Sequence, residues 1–266
     1  MLKKRIIFTL LYSDGYFMLS RNFRLQRVGD LNWLKKNYDF SHISFYIDEL
    51  IVLDVSRRER SISRFSKVLE SLTERCFVPI AAGGGVRSIE DANLLLRSGA
   101  DKVVINSPLF KDRSLLKGLV KNFGRQCVIG SVDLKKVGDE YQIWIESGAT
   151  CLTEPPPDLL EAMLEDAPGE IYLNSIDQDG TGQGFDLIML DQLNDQIVSP
   201  IILAGGAGNA KHLTEALMHP RVDAVATANL LNFVGDGLMK ARKFVDSSEV
   251  ALAKWPDMSN YLNHLL

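Results

Sequence analysis

The feature that most constrains the fold is an internal repeat held in one register along much of the chain. Asp48-Glu49-Leu50-Ile51-Val52-Leu53-Asp54 is echoed by Gly169-Glu170-Ile171-Tyr172-Leu173-Asn174-Ser175. Val78-Pro79-Ile80-Ala81-Ala82-Gly83-Gly84-Gly85 is echoed by Ser199-Pro200-Ile201-Ile202-Leu203-Ala204-Gly205-Gly206. Glu49 and Glu170 stand 121 positions apart, and so do Pro79 and Pro200. A third pair, Gly99–Ile105 and Arg221–Thr227, keeps the offset to within one residue, with Asp101 and Asp223 separated by 122. Convergence on a generic strand–glycine-turn–helix unit explains one such pair, not a common offset, so the chain is read as two related halves.

Each half reads as four strand–helix units. Short Ile- and Val-rich runs bounded by Gly, Asp or Pro alternate with longer stretches of helical periodicity. Strands are expected near Ile6–Leu11, Leu50–Asp54, Pro79–Ala82, Lys102–Ile105, Val128–Asp133, Ile171–Ser175, Ile201–Ala204 and Ala224–Thr227. Helices are expected over Ser88–Arg97, with Ile89, Ala92, Leu95 and Leu96 on one face, over Leu213–Met218, and over Asp158–Leu164 behind the prolines 155–157. Eight parallel strands with right-handed crossovers close most simply into a single (β/α)8 barrel, with half-barrels at about 1–122 and 123–244. An open doubly wound sheet is the alternative, but it does not call for a two-fold repeat. Residues 245–266 are expected to be an extension packed on the barrel.

Composition narrows the function classes. The net charge of −4 gives no basic face of the kind nucleic acid requires. No apolar run reaches the roughly 18 residues of a membrane span. The apolar stretch Ile6–Leu11 is followed by Tyr12-Ser13-Asp14 with no small-residue cleavage site, and reads as a first strand rather than a leader. The 3 cysteines, Cys76, Cys127 and Cys151, are widely spaced without a CxxC, which fits a reducing cytoplasm. The 4 histidines show no metal-ligand spacing, and neither metal nor cofactor is expected.

In such barrels the chemistry sits at the C-terminal ends of the strands. Gly83-Gly84-Gly85 follows the third strand and leads into a helix near Ser88; its repeat, Gly205-Gly206-Ala207-Gly208, leads into one near Asn209. Glycines let backbone N–H groups approach an anion, and a helix N-terminus adds a favourable dipole. A tight turn explains one triple glycine. Two at repeat-related positions point to paired anion sites, and so to a substrate with a phosphate at each end. Asp179-Gly180-Thr181-Gly182 after the sixth strand, Asn106 and Ser107 after the fourth, Asp133 ending the fifth and Asp54 ending the second complete the polar rim.

These residues resemble a known family. Arg5-Ile6-Ile7, Asp48-Glu49-Leu50, Gly83–Ser88, Ala100–Ser107, Asp177–Thr181 and Gly205–Gly208 are similar, in order and with few gaps up to about Phe244, to the HisF cyclase subunit of imidazole glycerol phosphate synthase, a TIM-barrel family. The resemblance implies a heterodimer with a glutaminase (HisH-like) subunit docked at the barrel's base. It implies ammonia passing through the barrel to cleave and cyclise a two-phosphate ribulosyl substrate, giving imidazole glycerol phosphate and an aminoimidazole carboxamide ribotide. Arg5, Glu49, Lys102 and Glu170 match the family's charged gate on the ammonia path. Without the resemblance they would read as a stabilising ion-pair ring. One phosphate site matches Gly84, Gly85, Asn106 and Ser107; the other matches Asp179, Gly180, Gly205, Gly206, Ala228 and Asn229.

The chain departs from the pattern at the first strand. The family uses two facing carboxylates as general acid and base. One is Asp133; its partner should be the Asp of Cys-Leu-Asp-Val, where this chain reads Thr9-Leu10-Leu11-Tyr12. The repeat asks for the same acid, because Asp133 lies 122 residues after Leu11. Leu19 stands for a lysine, Asn174 for a threonine and Asn229 for a serine. A rebuilt top face over a retained gate resembles a branch associated with bacterial surface polysaccharides. There a HisF-like barrel and a glutaminase serve an N-sugar amidotransferase that makes acetamidino groups. A histidine-pathway cyclase and a non-catalytic activator of the glutaminase are the alternatives. The related isomerase, with two phosphate sites but no gate, fits less well.

Overall fold

The computed structural model describes residues 3–38, 40–58, 60–74, 76–156, 160, 167–193, 195–229 and 236–253. Eight strands form a closed parallel barrel: β1 (Arg5–Ser13), β4 (Glu49–Asp54), β5 (Ile80–Gly83), β6 (Lys102–Ile105), β7 (Val128–Val137), β10 (Glu170–Ser175), β11 (Ile201–Ala204) and β12 (Ala224–Thr227). They hydrogen-bond in that order, β12 pairs back to β1, and the β7–β10 pairing completes the circle. The eight expected runs are these strands, with ends shifted by at most two residues except at β7. Of the expected helix 158–164 only Leu160, helical and buried, is described, and most of the extension, 254–266, lies outside the described residues.

Side chains alternate across each strand, so one sequence supplies two cores. Ile6, Phe8 and Leu10 of β1 point outward to the layer shared with the helices. Ile7, Ile51, Ala81, Val104, Ile129, Tyr172, Ile202 and Ala224 fill the lumen. The helices sit where the caps place them. Ser88 accepts from Asp91 N to start Ile89–Arg97, and Asn209 accepts from His212 N to start Ala210–Met218. These caps are themselves repeat-related, 121 positions apart. Near the chain's end, a buried Arg242–Asp48 pair (2.8 Å) and a bridge from Leu252 to Lys4 tie residues 242–252 to the barrel base.

The first and fifth strands run further than their apolar runs imply, to Ser13 and Val137. β1 runs on through Asp14-Gly15 into β2 (Tyr16–Arg21) and β3 (Arg24–Gly29). β7 runs past Asp133 to Val137, then through Gly138 into β8 (Glu140–Ile145) and β9 (Thr150–Cys151). Asp14, Gly15 and Gly138 have positive φ, as two-residue hairpin turns require. Both halves thus carry an antiparallel hairpin at the same place, above the barrel mouth. In the described residues no helix is long and apolar enough to cross a membrane.

Candidate active site at the barrel mouth

Strand register brings the expected residues together. Gly84, Gly85, Asn106, Ser107, Asp133, Asp179, Gly180, Gly205, Gly206, Ala228 and Asn229 all line one cavity of about 1410 Å³ at the C-terminal ends of the strands. Leu11 lines it too. Arg5, Glu49, Lys102 and Glu170 lie at the opposite end, where the strands begin.

The glycine turns adopt backbone that other residues resist. Gly84 and Gly85 have φ of 100° and 86°, and their counterparts Gly205 and Gly206 have 87° and 105°. Added Cβ atoms would strike the Asp54 carbonyl at Gly84, the Ser175 carbonyl at Gly205 and the Gly184 carbonyl at Gly206. The sequence therefore needs glycine for close approach as well as for φ. Gly206→Ala should cost roughly 1–3 kcal/mol from backbone strain alone, read by thermal unfolding. A variant with wild-type stability would show that the turn relaxes at no cost.

Asp133 is the chemically distinctive group. It is buried, and its two oxygens accept hydrogen bonds from Asn106 Nδ2 and Asn174 Nδ2, both at 3.1 Å. Burial raises its pKa to about 7, offset in part by the Asn174 and Asn106 bonds and reinforced by the charge of Asp179. A carboxyl titrating there can give or take a proton near neutrality. The same shift has a stability consequence. The folded state holds the proton more tightly than the unfolded chain, so stability falls as pH rises from about 4 to about 7. The full penalty is roughly 4 kcal/mol. Asp133→Asn removes it, so the variant should gain stability relative to wild type across that window, measured by denaturant titration at pH 4, 6 and 8. A pH-independent difference would contradict the assignment.

The mouth is chemically lopsided. Leu11 pairs with Leu53 in the same register as Asp133 pairs with Asn174. Leu53 and Asn174 are 121 apart, and Asn106 and Ala228 are 122 apart. On one side, therefore, stand Asp133, Asn106 and Asn174; the repeat-equivalent positions on the other side are Leu11, Ala228 and Leu53. The carboxylate of Asp179 is turned to a structural task, accepting from Ser20 Oγ and from Phe23 N (3.0 Å) and so pinning the first hairpin over the mouth. A phosphate there would meet backbone N–H groups, not this side chain.

At the base, Arg5 and Lys102 each bridge both Glu49 and Glu170. Arg5 reaches Glu49 at 3.1 Å and also contacts Glu170; Lys102 reaches Glu49 at 2.9 Å and Glu170 at 2.6 Å. Burial pushes the pKa of Glu49 up despite its partners. For Glu170 burial also acts upward, but Arg5 and Lys102 outweigh it and hold the carboxyl down. The closed alternation of signs lets four charges share a buried ring.

Further polar groups reach the cavity from the loop after β4, the helical turn after β6 and the β8–β9 tip, where no sequence motif marks them. Arg60, Lys111, Glu146 and Ser147 also line the cavity. The Asp14-Gly15 pair, followed by the alternating Tyr16–Arg21, was the available hairpin signal.

Residues 37–235 match the model of a family described as "Histidine biosynthesis protein". The chain is 48% identical over 262 residues to the "Putative imidazole glycerol phosphate synthase subunit hisF2" of Parasynechococcus marenigrum, covering 98% of this chain and 97% of that one. It is 35% identical to the "Imidazole glycerol phosphate synthase subunit HisF" of Hyphomonas neptunium, over 91% of this chain and 95% of that one. The protein of the same name from Chloroherpeton thalassium is 32% identical, over 95% and 99%. A closed (β/α)8 barrel with paired glycine turns, matched along nearly its whole length, belongs to the HisF family of imidazole glycerol phosphate synthase subunits.

Proposed function

We propose that this chain is the ammonia-accepting synthase subunit of a glutamine amidotransferase, with a top-face chemistry altered from histidine-pathway cyclisation. The observation that carries the reading is Leu11 at the register position equivalent to Asp133. Leucine neither gives nor takes a proton, so the two-carboxylate reaction has lost one member. The paired phosphate turns and the ring at the base remain, which supports delivery of ammonia to a phosphorylated small-molecule acceptor other than the ribulosyl substrate. The greater identity to a protein named hisF2 (48%) than to proteins named HisF (35% and 32%) favours a divergent paralogue. We assign it to acetamidino-sugar formation in surface polysaccharides such as lipopolysaccharide, in the cytoplasm, working with a glutaminase and an N-sugar amidotransferase.

The glutaminase would dock at the base. Phe77 and Val198, repeat-related and 121 apart, precede β5 and β11 there and are 75% and 79% exposed. Two large exposed apolar side chains at the strand-entry end suit a protein surface better than water. Native mass spectrometry with the glutaminase subunit of the same organism should show a one-to-one complex, weakened by Phe77→Asp with Val198→Asp. Glutamine labelled with 15N in its amide should pass label to the sugar acceptor. Label appearing in imidazole glycerol phosphate instead would establish the histidine-pathway reading.

A further inference from the structure

The groups best placed to hold a phosphate at the first glycine turn are already engaged by another part of the chain. Arg60 packs against Gly85, whose added Cβ would lie 3.0 Å from Arg60 Cδ. Its guanidinium is partly buried, and among the described residues no carboxylate comes within ion-pair distance of it. It donates only to neutral oxygens, Ser56 O (2.7 Å) and Ser147 Oγ (2.8 Å). Burial lowers its pKa, Asp54 raises it and Arg87 lowers it further, so a stronger anionic partner would be well received.

Ser147 belongs to the tip between β8 and β9. Glu146 and Ser147 are consecutive non-glycine residues in the left-handed region, with φ of 57° and 58°. Such conformations cost free energy and persist where surrounding contacts impose them. Besides a local bond from Thr150 Oγ1 to Glu146 Oε2 (2.7 Å), the contacts of Glu146 and Ser147 reach toward the first anion site. Glu146 N donates to Ser107 Oγ (3.1 Å), and Glu146 Oε1 accepts from Lys111 Nζ (2.6 Å). The tip thus presents a carboxylate and a hydroxyl to Lys111 and Arg60, and takes up the Ser107 hydroxyl. An acidic side chain and a phosphate make the same demand on a cation.

We propose that Arg60 and Lys111 are further ligands for a phosphate monoester at the Gly84–Gly85 turn, and that the Glu146–Ser147 tip is an internal competitor which that phosphate displaces. The inference rests on the reading of this turn as an anion grip. Displacement frees two cations and one hydroxyl and releases two residues from left-handed backbone, so hairpin opening and phosphate capture are linked. The second glycine turn serves as a control, because none of these four side chains contacts it in the hydrogen-bond network.

The test is an NMR titration of the whole chain with inorganic phosphate and with glycerol 3-phosphate, following the amides of Gly84 and Gly85 separately from Gly205 and Gly206. Arg60→Met should weaken the first site at least about ten-fold, the value of a charge-assisted hydrogen bond. Lys111→Met should weaken it by less. Glu146→Gln should tighten it about two- to five-fold, the scale of an exposed ion pair. The second site should not move in any variant. In wild type, the Glu146 and Ser147 amides should shift with the same midpoint as Gly85. If wild type binds at Gly84–Gly85 but Glu146→Gln leaves the affinity unchanged and the tip amides stay still, the competitor is refuted while the grip stands. If Arg60→Met is equally silent, its role as ligand is refuted as well. If the Gly84–Gly85 amides never respond to either anion, both the grip and this inference fail.

Discussion

Leu11→Asp should raise ammonium-driven cyclisation of the two-phosphate ribulosyl substrate by about 10²–10⁴-fold over wild type, the usual contribution of a positioned acid or base. The position is prepared for it in geometry. Leu11 lines the cavity, and β1 presents its side chain from the register point equivalent to Asp133. The surroundings are less welcoming. Asp133 has two asparagine amides, whereas position 11 is flanked by Leu53 and, at the repeat position of Asn106, by Ala228. A new carboxyl there is expected to titrate above the usual carboxylate range, because burial disfavours its charged form and no amide offsets this. The gain should therefore be larger at pH 8 than at pH 6 if the group works as a base, and smaller if it works as an acid. A variant that gains nothing at either pH, while still binding phosphate, would show that other changes at the rim, such as Leu19 and Asn229, also matter.

The second large effect concerns the base. Lys102→Met leaves Glu49 and Glu170 sharing Arg5 alone, and Glu49 is only 2% exposed. Removing one partner of a buried ion network typically costs about 3–5 kcal/mol, since the remaining charge stays desolvated. Pairing Lys102→Met with Glu49→Gln restores charge balance, with one cation facing one anion. The double variant should be more stable than Lys102→Met alone by about 0.5–3 kcal/mol, because the remaining cation and anion are matched. Urea unfolding of the three proteins decides this. A loss under 1 kcal/mol for the single variant would mean that the ring behaves as an exposed pair.

The eight barrel strands and the facing glycine turns were legible in the sequence because each depends on local chemistry. Period-two apolar runs make buried strands, and only glycine accepts the φ of positions 84, 85, 205 and 206. The repeat supplied what a single strand could not, namely that position 11 should match position 133. The hairpins were less visible. β7 continues past Asp133 through Leu134, Lys135 and Lys136, where the burial pattern decays toward solvent and looks like a strand end. The partnership of Arg60 with Ser147 spans 87 residues and is created by the fold alone. Likewise, nothing local in the sequence reveals that the Asp179 carboxylate faces Ser20 and Phe23. Asn174 departs from the family pattern in the sequence, but its bond to Asp133 depends on the β7–β10 register.

A mouth that keeps its phosphate grips but lacks one of the two groups needed for histidine-pathway cyclisation should bind the ribulosyl substrate without converting it. The most direct test is a single-turnover experiment in which excess wild-type protein is mixed with the two-phosphate ribulosyl substrate and ammonium. The substrate should be bound and recovered unchanged over times in which Leu11→Asp converts it. Conversion by wild type at the rate of the Leu11→Asp variant would contradict this expectation.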